Sequence, residues 1–106
     1  MQFVMFVCAE PGLRLTAEEA SPEAWVDEVE RRGIRLEGDR LQSPHDATTV
    51  RESGRLITDG PFAETREQIG GYDLIDCAGL DEAIEVASKH PMAKFGAIEL
   101  RPVWTR

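Results

Sequence analysis

Cysteine and histidine are scarce in this chain of 106 residues, with two of each. Cys8 and Cys77 show no redox or metal-ligand spacing, and two separated histidines, His45 and His90, do not complete a metal site. No Gly-x-Gly-x-x-Gly run, phosphate loop or Gly-x-Ser-x-Gly elbow occurs, which removes the usual sequence marks of nucleotide binding and of serine hydrolases. Bases are outnumbered, 12 against 20 acids, for a net charge of −8. They are scattered among acids, so no basic stripe exists to track a nucleic-acid backbone. No apolar run approaches the roughly 18–20 residues of a membrane span. Met1 to Val7 lacks the basic start and cleavage site of a signal peptide. The expectation is therefore a cytoplasmic chain with reduced thiols, no metal, no cofactor, and no nucleic-acid or membrane partner. Any catalysis should be cofactor-free proton transfer, elimination or isomerisation.

What is present suffices for one packed domain, residues 1–106, since 42% of the chain is hydrophobic and the length suits a single core. Phe3 to Cys8 is apolar at every alternate position on both faces, the pattern of a strand buried on two sides. Ser21-Pro22 reads as a helix start, with Trp25, Val26 and Val29 on one face, and Gly33 as the stop. Ile34 to Glu37 alternates as a second strand. Thr48 to Glu52 and Gly54 to Thr58 form a hairpin around Ser53-Gly54. Tyr72 to Cys77 is another strand. Asp81 is a candidate cap for a helix whose inner face is Ala83, Ile84 and Ala87, ended by His90-Pro91. Phe95 to Val103 closes the chain as a strand.

This order, β-α-β, hairpin insert, β-α-β, predicts an α+β ferredoxin-like sandwich with both helices on one face of a four-stranded antiparallel sheet. The other face has no cover within the chain, yet the first strand, with Phe3, Met5 and Val7 on one side and Val4, Phe6 and Cys8 on the other, is apolar there too. A homodimer packing sheet on sheet would cover it. In this topology Cys8 and Cys77 fall at opposite ends of the sheet, too far apart for a disulfide.

Candidate chemistry gathers in and after Asp59-Gly60-Pro61-Phe62. Turn chemistry opens this stretch and Gly70-Gly71 allows a hinge at its end. Asp59 is either a general base in an apolar cleft or the cap of its own turn. His90 is either a proton carrier or a helix-end device. Glu99 and Arg101 alternate onto the face away from the helices. They form either a structural ion pair, with Asp73 by parity, or a clamp for a substrate carboxylate. Phe62 and Tyr72 pack or line a ligand, with Tyr72 offering a hydroxyl.

Asp59-Gly60-Pro61-Phe62, Glu64, Gly70-Gly71-Tyr72, Asp81-Glu82-Ala83, His90-Pro91 and Ile98 to Val103 together resemble the DGPF-domain proteins of the YCII-related family, over essentially the whole chain. The resemblance implies ferredoxin-like protomers paired into a dimeric α/β barrel. It also implies a varied functional background: some members are fused to a sigma-factor-like region, and a few relatives act in breakdown of halogenated aromatics. YCII-like members carry a His early in the first helix and an Asp before a Pro after the second. This chain has no His there, and His90 takes the place of the Asp. The expected function is a cleft for a small anionic or aromatic molecule, with Asp59 and His90 sharing proton transfer and Arg101, Glu99, Tyr72 and Phe62 binding substrate. The alternative is a non-catalytic ligand-sensing or protein-interaction module linked to transcription.

Overall fold

A strand apolar on both faces belongs in the middle of a sheet, and that is where β1 (Gln2–Ala9) lies in the computed structural model, which describes residues 1–105. It pairs antiparallel with β5 (Gln68–Asp76) on one side and β6 (Ala97–Pro102) on the other. β2 (Arg35–Arg40) adds to the far edge of β5, for the order β2-β5-β1-β6. α2 (Glu23–Arg31) and α3 (Leu80–Ser88) link the outer and inner strands. The connectivity is that of a mixed α+β domain consistent with the ferredoxin-like arrangement. A separate hairpin, β3 (Thr48–Arg51) with β4 (Leu56–Asp59), turns near Ser53-Gly54 as the turn chemistry predicts.

The core lies between the helices and one face of the sheet. Phe3, Met5, Val29, Ile75 and Val86 are fully buried there, each contributing ~1.5–3 kcal/mol by removal from water. Ile98 and Leu100 pack against this cluster, so Glu99 and Arg101 alternate away from it. Register puts Tyr72 and Glu99 opposite Phe6, and Leu74 and Arg101 opposite Val4. Val4, Phe6, Cys8, Tyr72 and Leu74 are thus a half-exposed apolar stripe on the sheet's open face.

Several local readings need correction. Gly70 and Gly71 are not a free hinge, since β5 begins at Gln68 and runs through them, but the bend and close approach they permit are there: the register with β1 shifts at Gly70, and a Cβ on Gly71 would lie 3.2 Å from Asp39 O. Asp81 does not cap α3. Gly79 is the cap residue, and the Glu82 carboxylate accepts from the Ala78 N–H at 2.9 Å instead. On α3 Ala83 and Ala87 are buried as expected, but the third buried residue is Val86, while Ile84 is half exposed. α3 ends at Ser88, just before His90-Pro91, as expected, but a further turn not foreseen, α4 (Met92–Phe95), follows before β6. The short helix α1 (Ala17–Ala20) was unforeseen. It is held by a reciprocal capping box between Thr16 and Glu19.

The hairpin stands off the body. Every residue of β4 is exposed, as are Val50, Ile57 and Phe62 at 60%, 61% and 78%. The radius of gyration is 15.1 Å, above the ~13 Å of a compact chain this long. Cys8 and Cys77 are both free and sit at opposite ends of the sheet, as expected.

Candidate functional site

A cavity of about 530 Å³ opens between α2, the β1–α1 connection, the edge of β2–β5 and the corner after α3. That volume is in the range of small-molecule sites. Its wall is largely apolar, with Leu13, Leu15, Val26, Trp25 and Met92, and it carries two buried polar side chains, His90 and Asp73. Both were placed there by local structure.

His90 sits where α3 breaks at Pro91. Its backbone N–H donates to Ala87 O at 3.1 Å, and its Nδ1 accepts the Met92 N–H at 3.0 Å. The ring meets Trp25 edge-to-face, with centroids 4.8 Å apart. The indole is fixed in turn because its Nε1 donates to Val86 O at 2.9 Å. Burial lowers the imidazole from 6.5 to about 4, so His90 is neutral at pH 7. With Nδ1 used as acceptor, the neutral ring carries its proton on Nε2. Nε2 has no hydrogen-bond partner among the described residues, and no buried side-chain polar atom there is left unsatisfied. The N–H therefore opens onto the cavity.

Asp73 comes from the middle of β5, on the same face as Met5 opposite it. The expected pairing of Asp73 with Glu99 and Arg101 is wrong, because that pair lies on the opposite face of the sheet. Asp73 Oδ1 instead accepts from Arg35 Nε at 2.8 Å. Arg35 is clamped at two further points, donating to Glu30 Oε1 at 2.7 Å and to Gly38 O at 2.8 Å. Gly38 has to be glycine. A Cβ there would fall 2.1 Å from Asp73 Oδ1 and 2.6 Å from Tyr72 O. Burial raises the Asp73 pKa, Arg35 opposes that rise, and Asp39 adds to it.

The other sequence candidates are distributed differently. Tyr72 contributes to the cavity wall, but strand alternation gives its side chain to the open face beside Phe6. Glu99 and Arg101 pair with each other there, exposed, with the Arg101 guanidinium 5.9 Å from the Phe6 ring centroid. Asp59 and Phe62 are exposed on and after the hairpin and do not line the cavity. The Asp59 turn is closed by other groups: Gly60 N–H donates to Ala47 O at 2.7 Å, and Thr49 Oγ1 donates to Gly60 O at 2.8 Å. Within this protomer, then, His90 is brought to the cavity, Tyr72 borders it from β5 with its side chain on the open face, and Asp59, Phe62, Glu99 and Arg101 do not line it. Trp25, Arg35 and Asp73 were missed as site residues. The signal for Asp73 was a charge between Tyr72 and Leu74 in an alternating strand, since a buried charge needs a partner; Arg35 carried no such mark, because β2 also holds Glu37, Asp39 and Arg40.

Over 68 residues, 60% of this chain, the sequence is 46% identical to an uncharacterized protein of Rhizobium meliloti (strain 1021), and the match spans 55% of that protein's length. Among solved structures, 5-chloro-2-hydroxyhydroquinone dehydrochlorinase from Burkholderia phenoliruptrix AC1100, in complex with 2,5-dihydroxybenzoquinone, is similar with a TM-score of 0.60. That likeness covers 99% of this chain and 94% of the other at 15% identity, and at this identity it is a likeness of fold. The YCII-related domain matches residues 1–105, and the chain belongs to that family.

Proposed function

We propose that the chain binds a small cyclic molecule in the cavity beside Trp25 and His90 and performs cofactor-free proton transfer or elimination on it, as the protomer of a cytoplasmic homodimer. The observation that carries this reading is a buried, neutral imidazole whose one free N–H opens into an apolar cavity of ligand size. Such a donor stabilises an oxygen that gains negative charge during enolisation or elimination. Because Nε2 already bears the proton, His90 serves as donor to the developing oxyanion, and the proton that leaves carbon is taken up by water entering the open cavity. Family membership and a fold neighbour named as a dehydrochlorinase accord with this chemistry.

The open apolar face of the sheet supports the dimer. A second copy there would cover Val4, Phe6, Tyr72 and Leu74 and would place Glu99 and Arg101 between the sheets. The hairpin, with Val50, Ile57 and Phe62 exposed, offers further apolar surface to a second copy. In that dimer Glu99 and Arg101 act at the subunit interface, apart from the cavity.

The test uses Trp104→Phe, which leaves Trp25 as the one indole, titrated with small phenols and quinones. A saturable change in Trp25 emission, lost in His90→Ala, is expected. Deuterium uptake by an enolisable cyclic ketone should be accelerated by the native chain and not by His90→Ala. An unchanged Trp25 signal at millimolar ligand refutes the binding site, and equal exchange rates in the two proteins refute the proton-transfer role.

A further inference from the structure

Asp73 is nine-tenths buried, and the cavity function described so far does not use it. Arg35 occupies only Oδ1. Oδ2 accepts nothing from any described residue, yet no buried side-chain polar atom there is left unpartnered. Oδ2 must therefore reach open space, and the space that Asp73 lines is the cavity. If Asp73 served only to hold Arg35 against Gly38, the carboxylate could be sealed like the core around it.

The cavity thus presents one free acceptor, Asp73 Oδ2, and one free donor, His90 Nε2–H. Its charges are also informative. Glu10, Asp39 and Asp73 line it against Arg35 and Arg40, and the Arg35 guanidinium is already engaged with Asp73, Glu30 and Gly38. An anion would meet an excess of carboxylates. A cation would meet the His90 donor.

We propose that Asp73 is a ligand-binding residue, and that its carboxylate and the His90 N–H together select an uncharged ligand that donates a hydroxyl proton to Asp73 and accepts from His90. This deepens the reading of the cavity as a ligand site, on which it rests, and replaces the expected anionic ligand with a neutral one. Arg35 is the positioning residue: it fixes the carboxylate through Oδ1 and turns Oδ2 outward.

The experiment compares four ring probes of similar size on the Trp104→Phe protein: 4-methoxyphenol, 1,4-dimethoxybenzene, 4-methoxybenzoate and 4-methoxybenzylamine. 4-Methoxyphenol should bind tightest. Removing its hydroxyl proton in 1,4-dimethoxybenzene should weaken binding about tenfold or more, the worth of a hydrogen bond to a charged acceptor. Asp73→Asn should erase most of that preference. The native protein's own selectivity decides the matter even if the variant fails to fold. Equal binding of the phenol and the dimethoxy probe, or tighter binding of the benzoate or the benzylamine, overturns the acceptor–donor pairing and leaves the cavity reading intact. No binding by any of the four overturns both.

Discussion

Acidification should cost the native state stability through His90. Its folded-state pKa is depressed, from 6.5 to about 4, by burial. The contribution of the neutral ring is therefore fully present above pH ~6.5 and is lost as pH falls toward 4. Linkage between those two values gives a loss of ~2 kcal/mol at pH 5 and ~3 kcal/mol at pH 4, relative to pH 8. For a domain whose total stability is about 5–15 kcal/mol, that is a large fraction. Asp73 runs the other way: its raised folded pKa contributes stability that is present at acid pH and lost as pH rises through the raised value. Comparison with His90→Gln removes this and the other carboxylates from the account, because both proteins share them. Urea unfolding at pH 8, 6, 5 and 4, at one fixed protein concentration, should show the native chain losing ground to His90→Gln by those amounts. Parallel stability curves would show that the imidazole titrates as it does in the unfolded chain, and would refute the burial of a neutral ring.

Gly38→Ala should lower stability by about 1–3 kcal/mol, since the new methyl collides with Asp73 Oδ1 and the Tyr72 carbonyl; an unchanged urea midpoint would refute the close approach. Arg35→Gln should cost about 3–5 kcal/mol at pH 7 by leaving a buried carboxylate without its partner, and the cost should shrink in acid as Asp73 protonates. Cys8 and Cys77 should react slowly with a thiol reagent at pH 8 without denaturant, because burial raises both thiols; Cys8, half-buried, should react first. Light scattering at micromolar concentration should give a dimer, and a monomer with native circular dichroism would contradict the covered sheet face.

The scaffold was legible because its rules are local or periodic. The double-faced apolar β1 demanded a central strand, Gly33 ended α2, and Ser53-Gly54 turned the hairpin. The site was harder to read because it depends on which strand face each residue takes. A one-residue difference in register moves a side chain across the sheet, and Asp73 was assigned to the face of Glu99 and Arg101 for that reason. Arg35 lies on an edge strand whose pairing with β5 contains an irregularity between Arg35 and Glu37, which simple alternation does not anticipate. His90 was visible as a lone histidine before proline. Its partners, the Trp25 ring and the Met92 N–H, come from a different helix and from a short turn after the proline that no sequence pattern marked.

The central claim is that His90 presents an Nε2–H to a ligand held opposite Asp73, and side-chain nitrogen NMR of the histidines at pH 7 tests it most directly. The account predicts a neutral His90 with its proton on Nε2 and an Nε2 resonance that moves saturably on addition of 4-methoxyphenol, together with the Asp73 carboxyl carbon. A His90 protonated on Nδ1, or an Nε2 resonance unmoved while residues of the hairpin shift, would contradict it.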